Sequence, residues 1–347
     1  MRIAQVAPLY ESVPPHLYGG TERVVSYLTE ELVRRGEDVT LFASGDSKTT
    51  AKLVPACERS LRLSKAIDTL SLHLVMLEEM LKRAGDFDIV HFHIDYLHFP
   101  LSRRSRLNHV TTLHGRLDLA NLAPLYREFN DMPVISISDS QRKPLPFARW
   151  AGTVYHGLPP DEFTFRAQPE DYLLFLGRIS PEKRVDRAIE IATRAERKLK
   201  IAAKIDRVDR YYFNKHIKHL LDHPFIEFLG EVGRPDVDKL LGGAAALLFP
   251  IDWPEPFGLV MIEALACGTP VIAFGCGSVP EVITDGLTGF IVEDVEQAAE
   301  AVGRIGQIDR ARCREEFETR FTDRRMARDY VKIYDHLRCH NAREEAA

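Results

Sequence analysis

The sequence predicts an α/β protein of two doubly wound domains, and three observations carry that reading. A strand, glycine turn, helix and strand occupy residues 1–43. The same pattern restarts at Tyr172, after the polar stretch 166–171. Residues 253–291 then run as loop, helix, strand, loop and helix, the rhythm of a parallel sheet with crossover helices. At 347 residues the chain is long enough for two separate cores.

Composition narrows the function classes. The chain is 45% hydrophobic with a mean hydropathy of −0.18, which suits globular domains with real cores. A net charge of −5 gives no reason to expect a nucleic-acid partner. Cysteines 57, 267, 276, 313 and 339 show no metal-type spacing, and their odd number argues for reduced thiols. The N-terminus starts on a strand rather than a long apolar leader, and no run approaches the ~20 apolar residues of a membrane helix. A cytoplasmic location is therefore expected, with peripheral contact to a membrane left open.

In the N-terminal half, the first strand (residues 1–8) is followed by a long loop (9–18) with Pro14-Pro15. Gly19-Gly20-Thr21-Glu22 opens a helix that Gly36 stops, and 39–43 form the next strand. Ten residues separate the first strand from its glycines. That departs from the GxGxxG spacing of a dinucleotide fold and counts against NAD. Residues 64–83 read as one helix whose apolar positions 63, 67, 70, 74, 77 and 81 face a core. The basic residues at its ends (Arg59, Arg62, Lys65, Lys82, Arg83) are compatible with a membrane-surface helix, the less favoured reading. Asp86-Phe87-Asp88 reads as a turn rather than a metal site. His91 and His93 share one face of the strand 89–93 without a third ligand at diagnostic spacing. His114-Gly115 ends the strand at 110–113. A further strand at 133–138 leads into Ser138-Asp139-Ser140-Gln141-Arg142, where Ser138 or Ser140 can cap a helix.

After Tyr172, the strand 172–176 runs into Gly177-Arg178 and on to Lys183, two cations beside a helix start and suited to phosphate. Residues 200–205 and 226–229 are strands, followed by the loop Gly230-Glu231-Val232. A buried strand at 244–249 leads into the 253–291 stretch. There Glu255 sits on a proline-rich loop, Gly258 permits close approach of backbone, and 259–266 is a short helix ended by Gly268. Glu255 and Glu263 both look toward a ligand at that helix N-terminus, where unpaired N–H groups attract phosphate. The bland alternative for Glu255 is a capping acid. Residues 308–338 are charged and helix-permissive.

Pro-Glu255-Pro-Phe-Gly-Leu-Val-Met-Ile-Glu263, continuing through Ala-Cys-Gly-Thr-Pro-Val-Ile and Val-Pro-Glu-Val-Ile-Thr-Asp-Gly-Leu-Thr-Gly, resembles the signature of family 4 retaining glycosyltransferases (glycosyl transferases group 1). The resemblance implies the GT-B fold: two Rossmann-like domains facing across a cleft, with the last helix crossing back to the first. It implies domains at 1–157 and 158–325, with a returning helix and tail at 326–347. It further implies that Gly19, Gly20, Arg178, Lys183 and the backbone of Phe257, Gly258 and Leu259 meet the donor diphosphate. By the same resemblance Glu263 binds the ribose, Glu255 the donor sugar, Val232 borders the base, and His114 lies beside the reacting centre. No cofactor, metal or covalent intermediate is expected, and the donor is a nucleotide-diphosphate sugar, UDP-linked by preference.

The sequence departs from the pattern at two places. His156-Gly157 stands where relatives usually carry Asn-Gly, and Ala202-Ala203-Lys204-Ile205-Asp206 lacks the usual glycine, which puts a contact there in doubt. Arg103, Arg104 and Arg106 could meet an anionic or lipid-linked acceptor, though a solvated loop is the plainer reading. The acceptor itself is not legible. Competing classes are a nucleotide-sugar epimerase of the same architecture, disfavoured by the Glu-x7-Glu loop, and a non-catalytic nucleotide-sugar-binding protein, disfavoured by the intact Arg178, Lys183, Glu255 and Glu263.

Overall fold

A computed structural model describes all residues except 17–18, 65–66, 106 and 346–347, and not the side chains of 340–345. Tyr18, Lys65 and Arg106 therefore lie outside the described residues. The chain forms two units, Met1–Gly157 with Asp323–Ala347, and Leu158–Thr322. The expected boundary at 325/326 falls inside the last helix, Asp323–Glu345, which belongs whole to the first unit.

In the first unit, β1 (Arg2–Val6), β2 (Asp38–Ser44), β3 (Lys52–Cys57), β4 (Ile89–Phe92), β5 (His109–Thr112), β6 (Val134–Ser136) and β7 (Trp150–Thr153) form one sheet. Its order is β3-β2-β1-β4-β5-β6-β7, and every pairing is parallel. The order reverses between β1 and β4, the place where such sheets bind ligands beyond their C-terminal ends. Strand β3 is not evident in the sequence, because it is a half-buried edge strand and carries Pro55, which an edge tolerates.

Two expectations for this unit fail. The helix read over 64–83 is two pieces, Leu61–Ser64 and Thr69–Lys82. The Asp68 carboxylate caps the second, accepting from the Leu70 and Ser71 amides at 3.0 and 3.2 Å. Its core face is His73, Met76, Leu77 and Met80, whereas Leu63, Ile67, Leu70 and Leu74 are exposed. The rotation follows His73, which accepts from the Leu9 amide at 3.1 Å while its Nδ1 meets the Thr69 carbonyl at 2.7 Å. Two hydrogen bonds make a polar residue the inward one, which a hydrophobic stripe cannot signal. Arg103 and Arg104 lie on a helix, Phe99–Ser105, and not on a loop. The Arg103 guanidinium pairs with Glu128 and Asp131 and covers the Phe129 ring. Asp86 and Asp88 behave as a turn, with Asp88 holding Arg2 at 2.8 Å.

In the second unit, β8 (Leu173–Arg178), β9 (Leu199–Lys204), β10 (Ile226–Gly230), β11 (Ala246–Phe249), β12 (Val271–Phe274) and β13 (Gly289–Val292) take the order β10-β9-β8-β11-β12-β13, again all parallel. Here the order reverses between β8 and β11. The helices Leu259–Ala266 and Arg310–Arg320 pack together on this unit. Arg314 links the two by donating to the Ala266 carbonyl at 2.7 Å, and the buried Arg310 guanidinium donates to the carbonyls of Arg166, Ala244 and Gly242 and to Thr269 Oγ1, at 2.7–2.8 Å. Arg310→Leu strands three buried carbonyls and should destabilise the second unit by roughly 3 kcal/mol or more, read as a lowered unfolding midpoint. An unchanged midpoint would show that water replaces the guanidinium.

Candidate active site

Two strands flanking the reversal in the second unit deliver the site. Strand β8 ends at Arg178, and the 3-10 turn Pro181–Lys183 follows it. Strand β11 ends at Phe249 and leads to Trp253, Glu255 and the helix Leu259–Ala266. The two segments are tied by the Asp252 amide, which donates to the Glu182 carbonyl at 2.9 Å. Lys183 then reaches the Glu255 carboxylate, and Trp253 Nε1 donates to the same carboxylate oxygen at 3.0 Å. The Lys183 ammonium also lies 5.2 Å from the Trp253 ring centre and 5.6 Å from that of Phe249. Lysine and glutamate are both largely shielded, so each makes the other's burial tolerable.

The backbone of this loop is braced from behind. Gly277, at φ +60°, lies so close that a side chain there would collide with the backbone of Pro254 and Glu255. Ser278 donates from its amide to the Glu255 carbonyl at 3.0 Å and from Oγ to the Phe257 carbonyl at 2.7 Å. Gly258 adopts the left-handed conformation at the helix start, and no side chain caps Leu259–Ala266. The Met261 amide turns back to the Gly258 carbonyl at 3.0 Å, and Glu255 stands just ahead of this helix start.

Arg178 and Glu263 each have charged partners of their own. Arg178 is ringed by carboxylates: Glu182 at 2.5 Å, Asp209 at 3.5 Å and Asp206 at 3.7 Å. Asp206 comes from the segment that lacks the family's glycine. Glu263 does not share a cation with Glu255; it accepts from Arg234 at 2.8 Å, and Arg234 also holds Glu162 at 2.7 Å. Val232, half-buried, lies two residues before Arg234 and so brings its loop close to Glu263. The structure therefore joins Lys183 to Glu255 and sets Arg178 and Glu263 in separate charge networks. Trp253, Arg234, Glu182 and Asp209 escaped the sequence reading, because ion pairing between distant segments leaves no spacing signal.

The first unit carries the remaining candidates. Gly19 precedes the helix Gly20–Arg34, and among the described residues no side chain caps that helix start. His114, just beyond β5, is half-buried, and its Nε2 lies 2.9 Å from His93 Nδ1. His93 Nε2 meets Gln5 Oε1 at 2.7 Å, while His91 meets Tyr334 and Thr112 at 2.6 and 2.7 Å. His91 and His93 project together as the strand alternation requires, with ring centres 4.0 Å apart. His156 stacks on His114 with centres 5.4 Å apart. The His114 Nδ1 atom is shielded and has no hydrogen-bond partner among the described residues, a deficit of about 1–3 kcal/mol that a ligand hydroxyl could offset. Ser138 caps the short helix Asp139–Arg142, accepting from the Gln141 amide at 3.1 Å, and Gln141 Nε2 secures the Gly115 carbonyl beside His114 at 2.8 Å.

Two parallel open sheets, each reversing order once, with polar groups gathered past the strand ends, are the frame of the GT-B architecture. Sequence profiles place the chain there: Glycosyltransferase Family 4 matches residues 18–151 and Glycosyl transferases group 1 matches residues 161–319, and the chain belongs to these glycosyltransferases. A glycosyltransferase of Methanocaldococcus jannaschii, itself uncharacterised, is 27% identical over 84% of this chain and 85% of its own length. In fold, a glycosyltransferase involved in avilamycin A biosynthesis superposes with a TM-score of 0.77 at 23% identity, covering 98% of both chains. Anabaena HepE, solved with UDP and glucose, superposes at 0.75 with 18% identity, covering 97% of this chain and all of its own. Among the described residues, no helix is long and apolar enough to cross a membrane.

Burial holds the histidines of the first unit neutral. It lowers His91, His93, His98 and His156 well below the ordinary imidazole range, His114 to about 3 and His109 to about 4. Below an unfolded value of ~6.5 the unfolded chain binds more protons than the folded one, so stability falls as pH falls. His73 is lowered by burial too, and Asp95 (raised to about 6), Glu22 and Asp323, all raised by burial, act with the opposite sign, three groups against seven. The thermal midpoint of the first unit should therefore drop continuously from pH 6.5 to pH 4; a flat profile over that window would mean the rings are solvated.

Proposed function

We infer that the chain is a retaining, metal-independent glycosyltransferase that moves a hexose from a nucleotide-diphosphate sugar, UDP-linked by preference, to an acceptor hydroxyl. The observation that carries this reading is the meeting of Lys183 and Glu255 at the sheet reversal, beside an uncapped helix start. In the reaction the bond from the anomeric carbon to the diphosphate oxygen breaks. A bond to the acceptor oxygen forms on the same face, and the acceptor proton passes to the departing phosphate. Negative charge grows on the diphosphate and positive charge on the anomeric carbon.

Lys183 and the amides around Phe257, Gly258 and Leu259 would stabilise the first charge, being fixed before the reaction starts. Glu255 pairs with Lys183 when no donor is bound; a diphosphate takes over the ammonium and frees the carboxylate for sugar hydroxyls. Arg178 would be exchanged in the same way from Glu182, Asp206 and Asp209 to phosphate. Glu263, oriented by Arg234, suits ribose hydroxyls, with the Val232 loop next to the base. In the first unit, Gly19 and Gly20 would offer helix-start amides to the diphosphate, and His114 a neutral imidazole to the sugar. The choice of UDP is supported by HepE, a protein of like fold solved with that nucleotide.

Arg178→Ala should weaken nucleotide-sugar binding about tenfold to a hundredfold, the worth of a charge-assisted contact. Calorimetry with UDP-glucose, GDP-mannose and ADP-glucose measures this, and unchanged affinity removes Arg178 from the phosphate site. Transfer to any acceptor should survive chelation and keep the donor's anomeric configuration. Activity abolished by chelator, or an inverted product, rejects the proposed chemistry.

A further inference from the structure

We propose that Gln5 and His93 are positioning residues that fix His114 as its Nε2–H tautomer, so that Nδ1 faces the transferred sugar as a hydrogen-bond acceptor. The inference rests on the transferase reading above and deepens it.

Gln5 lies on β1 in register with His91 on β4, the polar one among the strand's four buried residues. Its Nε2 donates to Tyr334 Oη at 3.3 Å, and its Oε1 lies 2.7 Å from His93 Nε2. A 2.7 Å contact suits N–H donating to a carbonyl oxygen; a nitrogen–nitrogen contact would be wider. The proton of His93 is therefore on Nε2. His93 Nδ1 is then a bare acceptor, and the 2.9 Å link to His114 requires His114 Nε2 to be the donor. That leaves His114 Nδ1 without a proton and, among the described residues, without a partner.

The other end of the network agrees with this direction. Tyr334, accepting from Gln5, is free to donate to His91 Nδ1 at 2.6 Å, and His91 Nε2–H then donates to Thr112 Oγ1 at 2.7 Å. Thr112 passes its own proton on to Tyr330 Oη at 3.0 Å. Each link fixes the next, from the C-terminal helix to His114. Turning the Gln5 amide over would reverse every link and place the proton on His114 Nδ1, making it a donor instead. The structure thus offers two discrete settings, and the contact lengths select the acceptor. A hydroxyl-bearing ligand is the chemistry that a neutral, shielded acceptor recognises; an anion is not.

Nitrogen–proton correlation spectra of protein labelled in its imidazoles read the tautomer directly, with His114→Asn identifying the signal. Nδ1 of His114 should be bare and Nε2 protonated in the ligand-free chain. His93→Leu should scramble that state and lower the turnover of UDP-glucose about tenfold, the loss of one oriented hydrogen bond, with KM for the donor little changed. His93→Asn, whose amide oxygen can still accept from His114, should restore both the tautomer and most of the rate. Gln5→Leu should scramble the tautomer as His93→Leu does. A proton on His114 Nδ1 in the unaltered protein overturns the proposal, as does a His114 tautomer that survives both His93→Leu and Gln5→Leu. If the spectra come out as stated but no nucleotide sugar shifts any signal or the unfolding midpoint, the transferase reading fails while the tautomer assignment stands.

Discussion

Glu255 is the residue around which the polar groups of the second unit's sheet reversal are arranged. Its carboxylate closes on Lys183 from the far side of the sheet reversal and on Trp253 from its own loop. Its backbone is gripped by Ser278 and leaves room behind it for nothing larger than Gly277. A carboxylate and an ammonium removed together from water are tolerable only as a pair. The pair therefore holds a cation in a fixed place without leaving an isolated buried charge. Arg178 with Glu182, Asp206 and Asp209, and Arg234 with Glu162 and Glu263, repeat the device nearby.

The first unit solves a different problem with neutral groups. Its sheet reversal is lined by imidazoles, hydroxyls and an amide, and burial keeps the imidazoles uncharged. Because these groups both donate and accept, a single amide orientation at Gln5 propagates through His93 to His114. Tyr330 and Tyr334 complete that network from the last helix, Asp323–Glu345, which explains why a helix so distant in sequence belongs to this unit. Paired charges organise the polar groups of one unit, and a directed network of neutral groups organises those of the other.

Legibility in the sequence followed the range of the forces involved. The helix Leu259–Ala266, its glycine at 258 and the strand β12 are set by residues adjacent in the chain, and their local chemistry announces them. The helix Thr69–Lys82 departs from the apolar stripe because one buried histidine, satisfied by a backbone amide from a distant loop, outweighs it. The histidine network was half legible: alternation put His91 and His93 on one face, while Gln5 in an apolar strand was the signal that went unused.

The sequence by itself determined the two α/β units, the reversal-point loops and the family to which they belong, since periodicity, turn residues and a long contiguous motif are local properties. Only the tertiary structure decided which cation meets which acid. It parted Glu263 from Glu255, surrounded Arg178 with carboxylates and oriented His114 through Gln5 and His93. Ion pairs and hydrogen-bond directions depend on a few ångströms of separation between segments far apart in the chain, and no spacing along the chain encodes those distances.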